Sequence, residues 1–231
     1  LRRHSLPQYQ SQRLDSAGMR NHPQVKLVYG DVTDMPSLIK VLKECKPDEV
    51  YNLAAQSHVW ISFDQPYYTS EADALGVLNI LEAVKTVVPE AKFYQACSSE
   101  MFGNSCDNDG YQRETTPMYP ASPYGAAKVF GYNMTRVYRE SYDMFAVNGI
   151  LFNHESPRRG LNFVTNKIVD GAIRIHKSGG MGALALGNLD SSRDWGHSKD
   201  YVKAMWMMLQ QDKPEDFVCS TGRSSSVADL C

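Results

Sequence analysis

Short apolar runs alternate with helical spacings along most of the chain. Five runs have the length and the β-branched or aromatic content of buried strands: VKLVYG (25–30), EVYNLAA (49–55), KFYQACS (92–98), FAVNGILF (145–152) and ALAL (183–186). Apolar residues spaced three and four apart predict helices over 35–45, 71–88, 122–142, 163–176 and 199–210. Apolar strands that alternate with helices are typical of βαβ units. The predicted fold class is therefore α/β, with a Rossmann-like, doubly wound parallel sheet.

Several short segments lie at the carboxyl ends of these predicted strands. They are Gly30 and Asp31, residues 54–57, the triplet Ser98, Ser99 and Glu100, and Asn153 with His154. Ligands of doubly wound sheets bind beyond the carboxyl ends of the strands, so we expect the binding site at this edge. No glycine-rich turn that could seat a pyrophosphate follows an early strand in this sequence.

Composition excludes several classes of protein. The chain of 231 residues has 24 Lys and Arg against 26 Asp and Glu, a net charge of -2 that disfavours an electrostatic nucleic-acid binder. No apolar run reaches the length of a membrane span, and the first residues do not form a signal peptide. Five cysteines without a CxxC pair disfavour a disulfide framework or a metal site, which favours a cytoplasmic location.

Two short motifs indicate acid/base chemistry when they are taken together. Tyr124 and Lys128 lie four residues apart on a predicted helix, so their side chains share one face, where an ammonium would favour the phenolate. Such a pair alone is common on helix surfaces, and a lone carboxylate such as Glu100 is usually a solvated loop residue. The reading as a site requires a hydroxyl-bearing triplet at the end of the preceding strand, and Ser98, Ser99 and Glu100 provide it.

This combination resembles the extended short-chain dehydrogenase/reductase family, which acts on nucleotide sugars. Longer segments resemble its GDP-mannose 4,6-dehydratase branch along nearly the whole chain: NLAAQSHVWISF (52–63), FYQACSSEMFG (93–103), NHESPRRG (153–160) and RDWGHSKDY (193–201). The resemblance implies NADP as cofactor and GDP-mannose as substrate. It also implies a homodimer or homotetramer for the full-length protein.

Catalytic roles for four residues follow from the resemblance. It implies that Tyr124 takes the proton of the sugar O4, that Lys128 supports the phenolate and that Ser98 polarises O4. It implies that Glu100 removes the C5 proton and then helps the C6 hydroxyl to leave. Glucose-nucleotide dehydratases have Asp where this chain has Ser99, and epimerases generally lack the third-position Glu, so Glu100 favours dehydration of the GDP-mannose type.

Binding residues also follow from the resemblance. The implied cofactor contacts are Arg2, Arg3, Ser5, Asp31, Val32, Leu53, Ala54, Ala55, Gln56, Ser57, Tyr68, Lys128, His154 and Arg159. Arg2 and Arg3 are expected to hold the 2′-phosphate of NADP, although His4 stands where the family turn has its first Ser. The implied sugar-nucleotide contacts are Asn153, Lys167 and Arg193, while Asp194 and Trp195 are expected to hold their loop in shape.

The expected organisation is a truncated NADP-binding domain over residues 1–152, followed by 153–231. The second segment is expected to bind mainly the sugar nucleotide and to include returning Rossmann elements and part of a smaller C-terminal substrate domain. The chain begins with Leu1 and stops where SVADL starts a helix, so we expect a fragment. The resemblance implies that a first strand and a glycine-rich turn precede it, and that residues 1–231 alone are poorly stable and bind NADP weakly.

Three alternatives remain open from the sequence. A nucleotide-sugar epimerase or 4-keto reductase would have the same fold, although Glu100 weighs against both. A non-catalytic nucleotide-sugar-binding protein would not need Ser98, Glu100, Tyr124 and Lys128 together. The product of an inactive gene remnant is the third alternative.

Overall fold

The computed structural model describes residues 13–231, which form two compact units. The first unit comprises the described chain up to Ile150 together with Met205–Phe217, and the second comprises Leu151–Ala204 and Val218–Cys231. The predicted cofactor residues Arg2, Arg3 and Ser5 lie outside the described residues.

Helices and strands alternate along the chain. The first half contains α1 (Met35–Cys45), β1 (Glu49–Asn52), α2 (Val59–Asp64), α3 (Pro66–Ser70), a π-helical turn (Glu71–Leu75), α4 (Gly76–Val87), β2 (Lys92–Ser98) and a 3₁₀ turn (Ser99–Met101). The second half contains α5 (Pro123–Tyr142), β3 (Ala146–Leu151), β4 (Asn153–Glu155), α6 (Val164–Lys177), β5 (Ser192–His197), α7 (Ser198–Leu209), β6 (Asp216–Cys219), β7 (Ser224–Ser226) and α8 (Val227–Leu230).

A four-stranded sheet with the order β1-β2-β3-β6 forms the centre of the first unit. β1 runs parallel to β2, with Glu49 opposite Lys92 and Asn52 opposite Gln95. Every residue of β3 is buried, as expected for a strand covered on both faces. The predicted α/β, Rossmann-like fold class is confirmed.

The apolar faces of α1 and α4 form a core with β2. Its buried members include Leu38, Leu42, Val77, Ile80, Leu81, Val84 and Phe93. Lys46, the residue that follows α1, has a left-handed conformation, and its N–H donates to the carbonyl of Leu42. This core packs against β2 and so holds in place the strand that ends at Ser98.

We expect Leu81→Ala to lower the free energy of unfolding by about 2–5 kcal/mol, because it leaves a cavity in this core. Leu81 is fully buried, whereas Val137 on α5 is 39% exposed. Val137→Ala is the matched control and should change stability by about 0.5 kcal/mol or less. Urea unfolding of both variants tests this, and equal losses would contradict the core assignment.

A buried polar cluster joins Met205–Phe217 to the rest of the first unit. The carboxylate of Asp216 accepts hydrogen bonds from Arg139 Nη1 at 2.9 Å, from Asn148 Nδ2 at 2.9 Å and from the Tyr132 hydroxyl at 2.7 Å. Asn148 has no exposed surface. Buried polar groups need hydrogen-bond partners. β6 therefore contributes to the first unit in two ways: its Asp216 side chain accepts these hydrogen bonds, and the strand pairs with β3.

The second unit has its own three-stranded sheet, with the order β4-β5-β7. β4 and β5 are parallel, whereas β5 and β7 are antiparallel. Asp194 on β5 is 8% exposed and accepts the backbone N–H groups of Thr221, Gly222 and Arg223 at 2.8–3.2 Å. Asp194 therefore holds the turn over residues 221–223. The expected role of Asp194 and Trp195 in shaping their own segment stays a prediction.

Two predicted strands are wrong. Residues 25–30 contain a single bridge position, Tyr29, and residues 183–186 form no strand. A strand needs a neighbour for its backbone hydrogen bonds, and no strand within residues 13–231 pairs along 25–30. Leu27 and Tyr29 are accordingly 39% and 74% exposed. Within residues 13–231, no helix has the length and apolar character needed to cross a membrane.

Candidate active site

The triplet Ser98, Ser99 and Glu100 lies at the carboxyl end of β2, where the strand turns directly into a 3₁₀ helix. The Oγ atom of Ser98 accepts the N–H of Glu100 at 3.2 Å, which caps this turn. Met101, the last residue of the turn, and Phe102, which follows it, are fully buried. The turn is therefore anchored from within, and the Ser98 hydroxyl keeps its own proton to donate to a ligand.

The Tyr124 and Lys128 side chains face the protein interior. Ser122 caps α5 by accepting the Gly125 N–H at 3.0 Å, and Pro123 occupies the first turn. Tyr124 is 8% exposed and Lys128 is 3% exposed. The Lys128 ammonium donates to the carbonyl of Ala96 at 2.9 Å and lies 5.6 Å from the centroid of the Tyr124 ring. The pair is therefore buried and does not belong to a solvated helix surface.

Close backbone packing brings the start of α5 against the triplet. A Cβ atom on Gly125 would lie 2.7 Å from the backbone oxygen of Glu100, so only glycine permits this approach. One helical turn later, Lys128 reaches β2 through Ala96. The structure thus places the four predicted catalytic residues on adjoining segments of the first unit: Ser98, Glu100, Tyr124 and Lys128.

The predicted cofactor residues Asp31 and Val32 lie before α1. Asp31 Oδ1 accepts both the N–H of Thr33 at 3.0 Å and its hydroxyl at 2.9 Å, which forms a tight turn. The carbonyl of Val32 accepts Asn79 Nδ2 at 2.9 Å. A Cβ atom on Gly76 would lie 2.7 Å from Val32 Cγ2, so α4 packs directly on this residue.

The loop over residues 53–57, which was predicted to line the cofactor, is held by a network of amides. Asn52 is buried, accepts the N–H of Ala54 at 3.2 Å and donates to Gln95 at 2.8 Å. The side chain of Gln56 bonds both backbone groups of His58 and the hydroxyl of Thr69. Tyr68, also predicted, is partly buried and packs against the core.

Sequence reasoning missed one buried carboxylate beside these residues. Asp73 has no exposed surface, and its Oδ1 atom accepts the N–H of Gln56 at 2.7 Å. Its Oδ2 atom has no hydrogen-bond partner within the described part of the chain. Burial raises the pKa of Asp73 to about 6, although the positive charge of Lys128 and the Gln56 N–H oppose this shift. An Asp in a helical pattern normally indicates a solvated face, so no sequence signal identified it.

The raised pKa of Asp73 predicts a pH-dependent stability. The ionised carboxylate is disfavoured in the folded protein, so stability falls as pH rises from 3.8, the ordinary value, through about 6. Asp73→Asn cannot ionise, and its stability relative to the wild type should rise over this interval by up to about 3 kcal/mol. Urea unfolding at low and high pH measures this difference. The exposed Asp64→Asn is the control, and an equal response of the two variants would contradict the prediction.

The remaining predicted residues lie in the second unit. His154 Nδ1 lies 2.8 Å from the carbonyl of Phe152, and the ring stacks on Tyr201 with centroids 4.7 Å apart. Burial lowers the pKa of His154. The stacking partner Tyr201 is 3% exposed and was not identified from the sequence as part of this site.

The three predicted cationic ligands of the second unit have partners of their own. The guanidinium of Arg159 pairs with Glu155 at 3.2 Å and lies 3.6 Å from the centroid of the Phe163 ring. Lys167 donates to the carbonyl of Ala185 at 2.7 Å, and Arg193 donates to the carbonyl of Ser192 at 2.8 Å. The predicted substrate residue Asn153 begins β4. The roles of these residues in binding stay predictions.

Comparisons of the sequence with family models and with known proteins agree on one family. A family model described as GDP-mannose 4,6 dehydratase matches residues 2–231. The GDP-mannose 4,6 dehydratase of Homo sapiens is 56% identical over 208 residues, which are 89% of this chain and 55% of that protein. A GDP-mannose 4,6-dehydratase of Vibrio cholerae serotype O1 is 52% identical over 99% of this chain and 61% of its own length. The chain thus spans little more than half of these relatives.

Solved structures support the fold. A dTDP-glucose 4,6-dehydratase from Streptomyces venezuelae, with NAD bound, superposes with a TM-score of 0.83 at 23% identity, over 94% of this chain and 65% of that one. A UDP-glucose 4-epimerase from Thermus thermophilus gives a TM-score of 0.79 at 22% identity, over 96% and 76% of the two chains. At this identity the likeness concerns architecture alone.

Proposed function

Because this chain belongs to the GDP-mannose 4,6-dehydratase family, we propose that its full-length protein converts GDP-mannose into GDP-4-keto-6-deoxy-mannose. The observation that carries this proposal is the packing of the buried Tyr124 and Lys128 pair against the turn that contains Ser98 and Glu100. The arrangement supplies a phenol, an ammonium, a hydroxyl and a carboxylate at one edge of the sheet.

We propose NADP as the cofactor, and the residues of the first unit fit a dinucleotide. An ammonium has three N–H donors, and Lys128 gives one of them to Ala96, which leaves donors for ribose hydroxyls. The remainder of the cofactor would be held by Asp31, Val32, residues 53–57 and Tyr68. The preference for NADP over NAD is assigned to Arg2, Arg3 and Ser5. When bound, NADP would take a hydride from C4 of the sugar and return it to C6.

Each of the four clustered residues has a proposed task in the reaction. Tyr124, beside the Lys128 ammonium, acts as the base that removes the proton of the sugar O4, and the Ser98 hydroxyl donates a hydrogen bond to the same oxygen. The resulting C4 ketone makes the C5 proton acidic. Glu100 removes that proton and, now protonated, gives it to the C6 hydroxyl, which leaves as water. Tyr124 then returns a proton to C5.

We assign contacts with GDP-mannose to Asn153, Lys167 and Arg193, whose amide and cationic groups suit the ribose and the diphosphate. His154 and Arg159 are assigned to the cofactor. The full-length protein is proposed to act as a homodimer or homotetramer.

Mass spectrometry of the sugar nucleotide tests the proposal directly. The full-length gene product, given GDP-mannose and catalytic NADP, is expected to release a product lighter by one water without net consumption of the cofactor. An unchanged mass with an inverted stereocentre would instead identify an epimerase. Binding of GDP-mannose without any chemical change would identify a non-catalytic nucleotide-sugar-binding protein. The same assay with NAD measures the cofactor preference.

A further inference from the structure

We infer that Asp73 is a positioning residue of this active site, which holds the loop over residues 53–57 with one carboxylate oxygen and balances the charge of Lys128. This inference rests on the proposed function, because it deepens the role of two segments assigned to cofactor binding and catalysis. We assign Asp73 no contact with the substrate or with the reacting atoms.

The backbone around Asp73 departs from a regular helix. The helical stretch from Pro66 to Val87 is interrupted by the π-helical turn Glu71–Leu75, and Asp73 lies at its middle. A π turn widens the helix locally, and such turns occur frequently at functional sites. Asp73 and its neighbours Ala72 and Ala74 are buried, so this turn directs a carboxylate into the protein between two small residues.

The first carboxylate oxygen fixes the loop. Asp73 Oδ1 accepts the N–H of Gln56 at 2.7 Å, a short bond to a charged acceptor. The Gln56 side chain in turn bonds His58 and Thr69, so the backbone of the loop is tied to α3 and to the π turn together. Loss of the Asp73 acceptor would leave the Gln56 N–H unpaired and release this segment.

The charge of Lys128 acts on the same carboxylate. Asp73 Oδ2 is buried and has no hydrogen-bond partner among residues 13–231, and the charge of Lys128 acts favourably on this carboxylate. Lys128 is itself 3% exposed, so its positive charge is partly removed from water. The negative charge of Asp73 offsets part of that cost, while the ammonium itself is held by the Ala96 carbonyl beside the Tyr124 ring.

The buried carboxylate has an energetic cost that packing does not explain. An apolar residue or an Asn of similar size would avoid the desolvation of an ionised group. Groups that break the rules for stability are expected where function requires them. The π turn, the Gln56 bond and the Lys128 charge all converge on this residue, which favours a role in the site.

Asp73→Asn and Asp73→Ala separate the two tasks. In the Asn variant a carboxamide oxygen can still accept the Gln56 N–H, but the negative charge is gone. We expect NADP affinity within about 3-fold of the wild type and a kcat lowered by roughly 10- to 100-fold, with little change in KM for GDP-mannose. The Ala variant loses both functions, so NADP affinity should also fall by roughly 10-fold.

The measurements are calorimetric NADP titration and steady-state kinetics of the full-length gene product, with Asp64→Asn as the exposed control. A lower kcat in an Asn variant that is at least as stable as the wild type supports the inference, because lost packing would lower both. Wild-type kcat in Asp73→Asn, or parallel losses of stability and rate, would overturn it. If the wild type binds NADP but does not dehydrate GDP-mannose, the proposed function fails. In that case, a higher NADP affinity of Asp73→Asn than of Asp73→Ala would still support the positioning role of Asp73.

Discussion

Glu100→Gln is expected to abolish the loss of water from GDP-mannose, with turnover reduced by about 10³-fold or more, because the Glu100 carboxylate is proposed to serve both as base at C5 and as acid at C6. Ser99 leaves no second carboxylate in the triplet to replace it. The amide of Gln has nearly the same shape, so the 3₁₀ turn and its Ser98 cap should persist. Mass spectrometry of the product and deuterium uptake at C5 from heavy water both report on this step.

Glu140→Gln makes the same chemical change on the exposed side of α5, where Glu140 pairs only loosely with Arg136 at 3.9 Å. It should leave turnover unchanged. NADP titration of both variants establishes that binding is intact. Residual water loss near the wild-type rate in Glu100→Gln would remove Glu100 from the mechanism and leave the dehydration without a base.

Tyr124→Phe is expected to lower turnover by roughly 10²- to 10⁴-fold, since it removes the group proposed to take the O4 proton. The ring itself should remain in place, because Tyr124 is largely buried beside Lys128. Binding of GDP-mannose should therefore be kept while deuterium uptake at C5 is lost, since no C4 ketone forms. Steady-state rates together with calorimetry of GDP-mannose binding measure the two effects separately.

Tyr67→Phe removes the same hydroxyl from a side chain that is 82% exposed, and it should have wild-type activity. A Tyr124→Phe protein with unchanged turnover would show that another group removes the O4 proton. A protein that loses GDP-mannose binding and activity together would assign the hydroxyl to binding.

Most of the fold followed from periodicity. The strand over 92–98 and the helix that Ser122 caps agree with their predicted limits, because an apolar run and a capping residue act locally. The strand predicted over 25–30 was wrong, since apolar residues do not reveal whether a pairing partner is present. The helix predicted from Glu71 begins at Pro66 with a π turn inside it, which depends on tertiary packing.

The part of the candidate site that could be predicted is the part where two sequence motifs must lie close together in the fold. Tyr124 and Lys128 share a helix face, and the triplet lies at a strand end, so their meeting follows from the topology of a parallel sheet. Asp73 could not be found in this way. Its burial arises from a local change in helical geometry. Its hydrogen-bond partner is the backbone N–H of Gln56, and the charge that acts on it belongs to Lys128, 55 positions later, so no short sequence spacing reveals it.

The return of Met205–Phe217 to the first unit also sets the order of events during synthesis on the ribosome. Arg139, Asn148 and Tyr132 emerge long before Asp216, the carboxylate to which all three donate. While the intervening second unit is translated, the nascent first unit lacks this shared acceptor, and Arg139 and Asn148 can donate only to the carbonyls of Ala146 and Tyr132. A truncation after Ile150 would remove Asp216 permanently, so the complete first unit cannot be obtained by a single cut.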